Sequence, residues 1–216
     1  MIRIPAKMPG LVKKFYPNYY WDFSKAINAN SEKTMYLTFD DGPVPEATEF
    51  VLELLNKYNA KATFFCIGNN VEKNPQIFEK VISNGHAIGN HTQHHLEGWK
   101  TNTDEYIENT LLSEAHINGH NHHKLFRPPY GRIKRSQAKK LSTLGYKIIM
   151  WDVVAKDWMA TISEETCLNN IVNNSVNGSI IVMHDSMKAF KNLKYALPRV
   201  LDHFSNEGFQ FKKIEF

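Results

Sequence analysis

Two carboxylates stand side by side in "TFDDGP" (Thr38 to Pro43), and two imidazoles stand four residues apart in "HTQHH" (His91 to His95). Carboxylate and imidazole are the ligands of catalytic divalent metals, and three protein ligands leave a position open for water or substrate. A spacing of four puts His91 and His95 on one face of a helical turn, where both can reach one ion. His94 then turns about 100° away from His95, and Asp41 is the natural third ligand. On an extended chain neighbouring side chains point to opposite sides, so Asp40 has a different task. It can act as general base for an attacking water, kept ionised by the guanidinium of Arg127 forking onto its carboxylate. His184 ends the apolar run "SIIVMH". A carboxylate at Asp157 on one ring nitrogen would raise its pKa and leave the other nitrogen to donate a proton. Each signal alone has a plainer explanation: "DDGP" is a turn, the histidine pair a solvated helix face, His184 a rim residue, and Trp158 a core side chain or a sugar-stacking wall.

Residues so far apart in sequence meet only if the fold gathers them. Short apolar, β-branched and aromatic runs alternate with segments of helical period, the pattern of repeated strand–helix units. Strands are expected at 34–39, 62–68, 86–92, up to Phe126 or Arg127, and at 146–154, 179–185 and 209–216. Between them come helices, one with Asn74 as N-cap, Pro75 at N1 and Gly85 as its stop, one capped by Ser163, and a last one that tolerates Pro198. This many units in one chain favours a closed or nearly closed barrel of parallel strands, with a doubly wound open sheet second. Both architectures place ligands beyond the carboxyl ends of the strands. Asp40, Asp41, His91, His95, Arg127, Tyr130, Asp157, Trp158, His184 and Asp185 all follow strands, so they fall on one rim.

Composition narrows the partner. The chain has 216 residues, 42% of them hydrophobic, which is enough for one domain with a sizeable core. A net charge of +4 from 26 basic and 22 acidic residues contains no block of like charge, which argues against a nucleic-acid partner. Cys66 and Cys167, far apart in sequence, suggest no disulfide framework, and Cys66 in "ATFFCIG" fills core space. No segment approaches the ~20 apolar residues of a membrane span, and "MIRIPAKMPGLVKKFYPNYYW" lacks the apolar run of a signal peptide, so a cytoplasmic location is expected. The His-rich turn "HINGHNHHK" (His116 to Lys124) offers His120, His122 and His123 as a rival metal site, but with no carboxylate partner it reads as solvated. The aromatics of "FYPNYYW" (Phe15 to Trp21) could stack sugars or pack across a barrel floor.

In this order, "TFDDGP", "HTQHH", "RPPYG", "DW" after "WDVVAK", and "VMH" resemble the five motifs of the polysaccharide deacetylases, the NodB-homology or carbohydrate esterase family 4 enzymes, over about residues 34–211. The resemblance implies an α/β fold, a distorted (β/α) barrel of about seven strand–helix units related to the TIM barrel. Residues 1–33 would be an N-terminal segment packed on it and 34–216 the catalytic domain. It implies removal of acetyl groups from an amino sugar, as in chitin or peptidoglycan, or from acetylated xylan. It also implies a divalent metal, Zn2+ first and Co2+, Ni2+ or Mn2+ as alternatives. Position by position, Asp40 would be the catalytic base, Asp41, His91 and His95 the metal ligands, and His184 the catalytic acid. Arg127 would orient Asp40, Asp157 would tune His184, the Tyr130 amide would hold the oxyanion, and Trp158 and Val182 would line the acetyl pocket. Val182 replaces the usual Leu, and Ala155 stands where Ser is frequent, which bears on acyl-group size. A deacylase of small or lipid-linked amides and a non-catalytic glycan-binding barrel are the competing readings. Oligomeric state is not implied.

Overall fold

The computed structural model describes residues 5–26, 32–117 and 119–216. Its sheet contains β1 (Thr34–Asp40), β2 (Thr63–Cys66), β3 (Ala87–Asn90), β4 (Leu125–Phe126), β5 (Lys147–Ile148), β6 (Val153–Val154), β7 (Ile180–His184) and β8 (Gln210–Phe211). Every pairing is parallel, in the order β5-β4-β3-β2-β1-β7-β6, with β8 beside the start of β1. The helices are α1 (Gly10–Phe15), α2 (Ala47–Lys57), α3 (Gly68–Lys73), α4 (Pro75–Ser83), α5 (Thr103–Ile117), α6 (Arg135–Thr143), α7 (Glu164–Val172) and α8 (Phe190–Asn206).

The outermost strands β5 and β6 are consecutive in the chain, linked by residues 149–152. The sheet therefore has to curl until its edges nearly meet, which is the expected distorted barrel. For the same reason the single strand expected at 146–154 is broken in two. One end pairs with β4 and the other with β7, so the middle must leave the ladder and satisfy its backbone elsewhere. Met150 N–H goes to the Tyr20 carbonyl and Asp152 N–H to that of Ile180, while Arg127 donates to the carbonyls of Ile149 and Met150. The expected last strand shrinks to Gln210–Phe211, and α3 appears where its six residues are too few to show a helical period.

Strand alternation sorts the side chains. On β1, Met35, Leu37 and Phe39 pack outward with Val51 and Leu55 of α2 and Leu197 and Leu201 of α8. Each such fully buried side chain contributes roughly 1.5–3 kcal/mol. Tyr36, Thr38 and Asp40 take the other face. Tyr36 packs with Phe65, Leu125, Ile149 and Ile180, closing the barrel floor, and Thr38 and Asp40 meet Arg127 above it. On β7, Ile181 and Met183 point outward in the same way, and Ile180, Val182 and His184 point inward.

The local signals at Gly85 and Ser163 hold as read. Gly85 stops α4 at φ +75°, and Ser163 Oγ accepts the Thr166 N–H at 3.1 Å. Asn74 precedes α4, but its side chain donates to the carbonyls of Pro43 and Asn70, both at 3.1 Å, so it braces the loop after β1 instead of capping the helix. Trp21 is buried with Ile148 and Met150, Tyr20 packs on the floor, and Phe15 stays 72% exposed. Lys7 and Lys13 both reach Asp152 at 2.6 Å. Residues 1–4 and 27–31 of the expected N-terminal segment, and residue 118 of the His-rich turn, lie outside the described residues. Cys66 and Cys167 are free and buried. Among the described residues no helix is long and apolar enough to cross a membrane.

Candidate active site

The pairing of β1 with β7 sets Asp40 directly beside His184. Both side chains face inward at the carboxyl ends of adjacent strands, whose spacing is about 4.8 Å. Asp40 Oδ1 accepts from Arg127 Nη1 at 2.7 Å. The expected two-pronged fork is not formed. Arg127, fully buried, also donates from Nη1 to Thr38 Oγ1 at 2.6 Å, from Nη2 to the Met150 carbonyl at 2.8 Å and from Nε to that of Ile149 at 3.2 Å. Its guanidinium lies over the Phe65 ring at 4.1 Å. One cation thus closes the barrel seam and holds Asp40, because the sheet edges leave carbonyls that need donors.

Asp41 lies just past the strand, with φ at +82°. That left-handed turn defeats the extended-chain alternation, and both aspartates line the same cavity. His91 and His95 meet Asp41 without the expected helical turn. They belong to a loop after β3 in which Thr92 and His95 also have positive φ, 64° and 55°. Such strained positions persist only where surrounding contacts enforce them. Asn109 supplies some of these: its Oδ1 accepts the N–H groups of Gln93 and His94 at 3.0 and 3.1 Å, and its amide holds His94 Nδ1 at 2.8 Å. His94 is thereby kept out of the cluster, by Asn109 rather than by helical geometry.

The three ligand atoms of Asp41, His91 and His95 lie within 4.8 Å of one another, the one such group among the described residues. The His120, His122 and His123 alternative forms no such group. The donor set fits a cation. His91 Nδ1 is 2.7 Å from the Arg127 carbonyl, which can only accept, so this nitrogen carries the proton. Burial lowers the His91 pKa to about 4, so the neutral ring turns a lone pair from Nε2 toward Asp41 Oδ1 at 3.7 Å. Acceptor faces acceptor. Oδ1 is buried and lacks a properly aligned hydrogen bond, although His95 Nε2 is 3.2 Å away. Burial alone would raise the Asp41 pKa, but the His95 contact and the neighbouring imidazoles hold it well below the usual carboxylate range. His95 Nδ1 is fixed by the Tyr130 hydroxyl at 3.1 Å. Outer partners of this kind orient metal ligands.

Asp157 grips His184 twice, through Nδ1 at 2.8 Å and through the backbone N–H at 2.7 Å. Burial would lower the imidazole pKa, yet the Asp157 charge and hydrogen bond, helped by Asp41 and Asp40, raise it to about 9. The Trp158 ring meets that imidazole edge-on at 4.7 Å. Trp151, Val154, Trp158 and Val182 form an apolar wall in a cavity of about 630 Å³ that also holds Asp40, Asp41, His91, His95, Tyr130 and His184. Of the residues expected on the rim, all except Arg127, Asp157 and Asp185 line this space; Arg127 and Asp157 stand behind Asp40 and His184.

Sequence reasoning gave no role to Asp185. Its buried carboxylate accepts the Gly42 N–H at 3.0 Å and the Thr48 hydroxyl at 2.6 Å, pinning the turn that carries Asp41. A Cβ on Gly42 would come within 1.9 Å of Asp185 Oδ2, so the glycine of "DDGP" is required by this contact. The "HD" step after β7 was the available signal. Asn70 Nδ2, which donates to the Asp41 carbonyl at 2.7 Å, had none.

A curled parallel barrel whose rim joins an in-register aspartate and histidine, Asp40 and His184, to a two-histidine, one-carboxylate cluster defines the class. The chain belongs to the polysaccharide deacetylase family, whose model matches residues 27–149. It is 37% identical over 189 residues to a peptidoglycan-N-acetylglucosamine deacetylase of Bacillus cereus, covering 86% of this chain and 88% of that one. A chitooligosaccharide deacetylase of Azorhizobium caulinodans is 36% identical over 159 residues, covering 72% and 75%. The fold matches a peptidoglycan N-acetylglucosamine deacetylase solved with 4-naphthalen-1-yl-N-oxidanyl-benzamide, with a TM-score of 0.83 at 32% identity over 96% of this chain and 95% of that one.

Proposed function

We propose that this chain is a metal-dependent hydrolase that removes acetyl groups from the amino sugars of a glycan, with peptidoglycan-type and chitin-type chains as the first candidates. The observation that carries the reading is the placement of Asp40 beside His184 on neighbouring strands, both lining the cavity that holds Asp41, His91 and His95. The names of the similar proteins support an acetylated amino-sugar substrate.

Asp41, His91 and His95 would hold a divalent cation, with Zn2+ best suited to two imidazoles and one carboxylate. When bound, such a cation makes a water more acidic and polarises an acyl oxygen. Asp40, paired with Arg127, takes the proton of the attacking water. The acetyl methyl fits the wall of Trp158 and Val182, and the amide N–H of Tyr130 stabilises the oxygen on which negative charge develops. His184 holds its proton because Asp157 opposes it, and delivers it from Nε2 to the departing nitrogen. Acetate and a free amine result.

Acetate release is measured on chitin oligomers, peptidoglycan fragments, acetylated xylan and small amides, with metal content determined in parallel. Asp40→Asn and His184→Ala lose turnover and keep the metal, whereas His91→Ala loses the metal. Unchanged turnover in Asp40→Asn would sink the assignment. Release from small amides alone favours the deacylase reading, and metal binding without release from any substrate favours a glycan-binding barrel.

A further inference from the structure

We propose that residues 6–22 strap the barrel seam and fix the apolar wall of the catalytic cavity from behind, so that Val12 and Lys13 are positioning residues that hold the site to small acyl groups. This deepens the deacetylase reading and rests on it. The two edges of the curled sheet are β5 and β6, and the segment pairs with both. Tyr20 bridges to Ile149 in parallel: its N–H donates to the Ile148 carbonyl at 2.9 Å, and its carbonyl accepts the Met150 N–H at 2.7 Å. Lys7 bridges to Val153 in the antiparallel sense. There the Val154 N–H donates to the Ala6 carbonyl at 2.9 Å, and the Met8 N–H donates to the Asp152 carbonyl at 2.7 Å. Trp151 thus lies between two residues, Met150 and Asp152, whose backbones this segment holds. Ion pairs fasten the same place. Buried Asp152 takes Lys7 and Lys13 at 2.6 Å each, and Lys13, on α1, also takes Asp22 at 2.5 Å. Lys7 donates further to the Asn174 carbonyl at 2.8 Å.

Met8 and Val12 pack in the same apolar cluster as Trp151, Val154, Trp158 and Val182, the four residues of the cavity wall. On another side Gly131 leaves the wall no slack, since a Cβ there would come within 2.4 Å of the Trp151 ring. Two of the four, Trp151 and Val154, stand in or beside β6 at the sheet's edge. An edge strand presents a row of unpaired backbone groups, and the strap pairs that free side here. The consequence is chemical. A pocket rejects an acyl chain one methylene longer only as far as its wall refuses to yield, because overpacking is relieved when neighbours can shift.

Release of free amine is measured on N-acetyl, N-propionyl and N-butyryl chitotriose with metal-loaded wild type, Lys13→Met, Lys13→Arg and Val12→Ala. The wild type favours acetyl over propionyl in kcat/KM by about tenfold or more, the discrimination that one methylene allows. Lys13→Met and Val12→Ala each cut that ratio at least about threefold and keep the metal, and Lys13→Arg restores it to within about twofold of the wild type. Val12→Ala leaves every ion pair in place, so it decides the matter if Lys13→Met does not fold. Ratios unchanged in both variants overturn this inference and leave the deacetylase reading standing. Rates that fall by one common factor on all three acyl chains mark a merely structural role and overturn it too, as does a wild type with no preference for acetyl. Failure of the wild type on every acylated glycan removes both readings together.

Discussion

Replacing Asp157 by Asn removes a charge from the site while keeping the shape of the side chain. Burial alone would put His184 below the ordinary histidine value of about 6.5. Asp157 at 2.8 Å reverses this, and the imidazole stands at about 9. A catalytic acid works only while protonated, so activity is present below its pKa and lost above it. With a pKa of about 9, roughly nine-tenths of His184 carries the proton at pH 8; at about 6.5 or lower, only ~3% or less does. Turnover of Asp157→Asn at pH 8 therefore falls at least about 30-fold, and far less at pH 6. The assay is acetate release from a chitin oligomer across pH 5.5 to 10, with metal content as the control. The basic limb moves from about pH 9 to about 6.5 or below. Stability follows the same linkage. A pKa raised on folding contributes stability that is full below about 6.5 and gone above about 9, so Asp157→Asn loses roughly 3 kcal/mol at low pH. A basic limb within about half a pH unit of the wild type refutes the assignment of the acid and of its partner.

Tyr130→Phe keeps the ring against His95 but removes the hydroxyl from Nδ1, so affinity for Zn2+ in a chelator competition drops by about tenfold. Arg127→Met leaves Asp40 buried without its cation and the carbonyls of Ile149 and Met150 without donors. Urea unfolding registers a loss of about 3–5 kcal/mol, and a loss below about 1 kcal/mol contradicts the central role given to that side chain. Burial raises the Asp185 pKa to about 8, with Asp41 adding to the rise, so this carboxyl is mostly neutral at pH 7. Asp185→Asn then stays within about 1 kcal/mol of the wild type at pH 7, whereas Asp185→Ala loses about 1–3 kcal/mol by thermal unfolding. Because an acid whose pKa is raised on folding contributes less stability as pH climbs from about 4 to about 8, the wild type weakens over that window more than the Asn variant.

Much of the barrel was legible because its signals are local. Short apolar, β-branched and aromatic runs marked β1 and β7, and the Asn74–Pro75 and Ser163 starts and the Gly85 stop bounded their helices. The break between β5 and β6 was not legible, since "YKIIMWDVV" looks like one strand until the sheet's two edges must be joined through it. The active site divides in the same way.

The amino-acid sequence by itself determined which residue types reach the rim. Asp40, His91, Arg127, Asp157 and His184 end or follow apolar runs, and a parallel sheet sends such residues to one end. Only the tertiary structure decided what each one faces. Positive φ at Asp41 turned its carboxylate into the cavity of Asp40. A strained loop, not a helix, brought the two histidines together, and a barrel seam short of donors spread Arg127 over backbone carbonyls as well as Asp40. Asp185 became the anchor of the turn that carries Asp41. Backbone strain and unmet hydrogen bonds arise only when distant segments meet, and no local pattern records them.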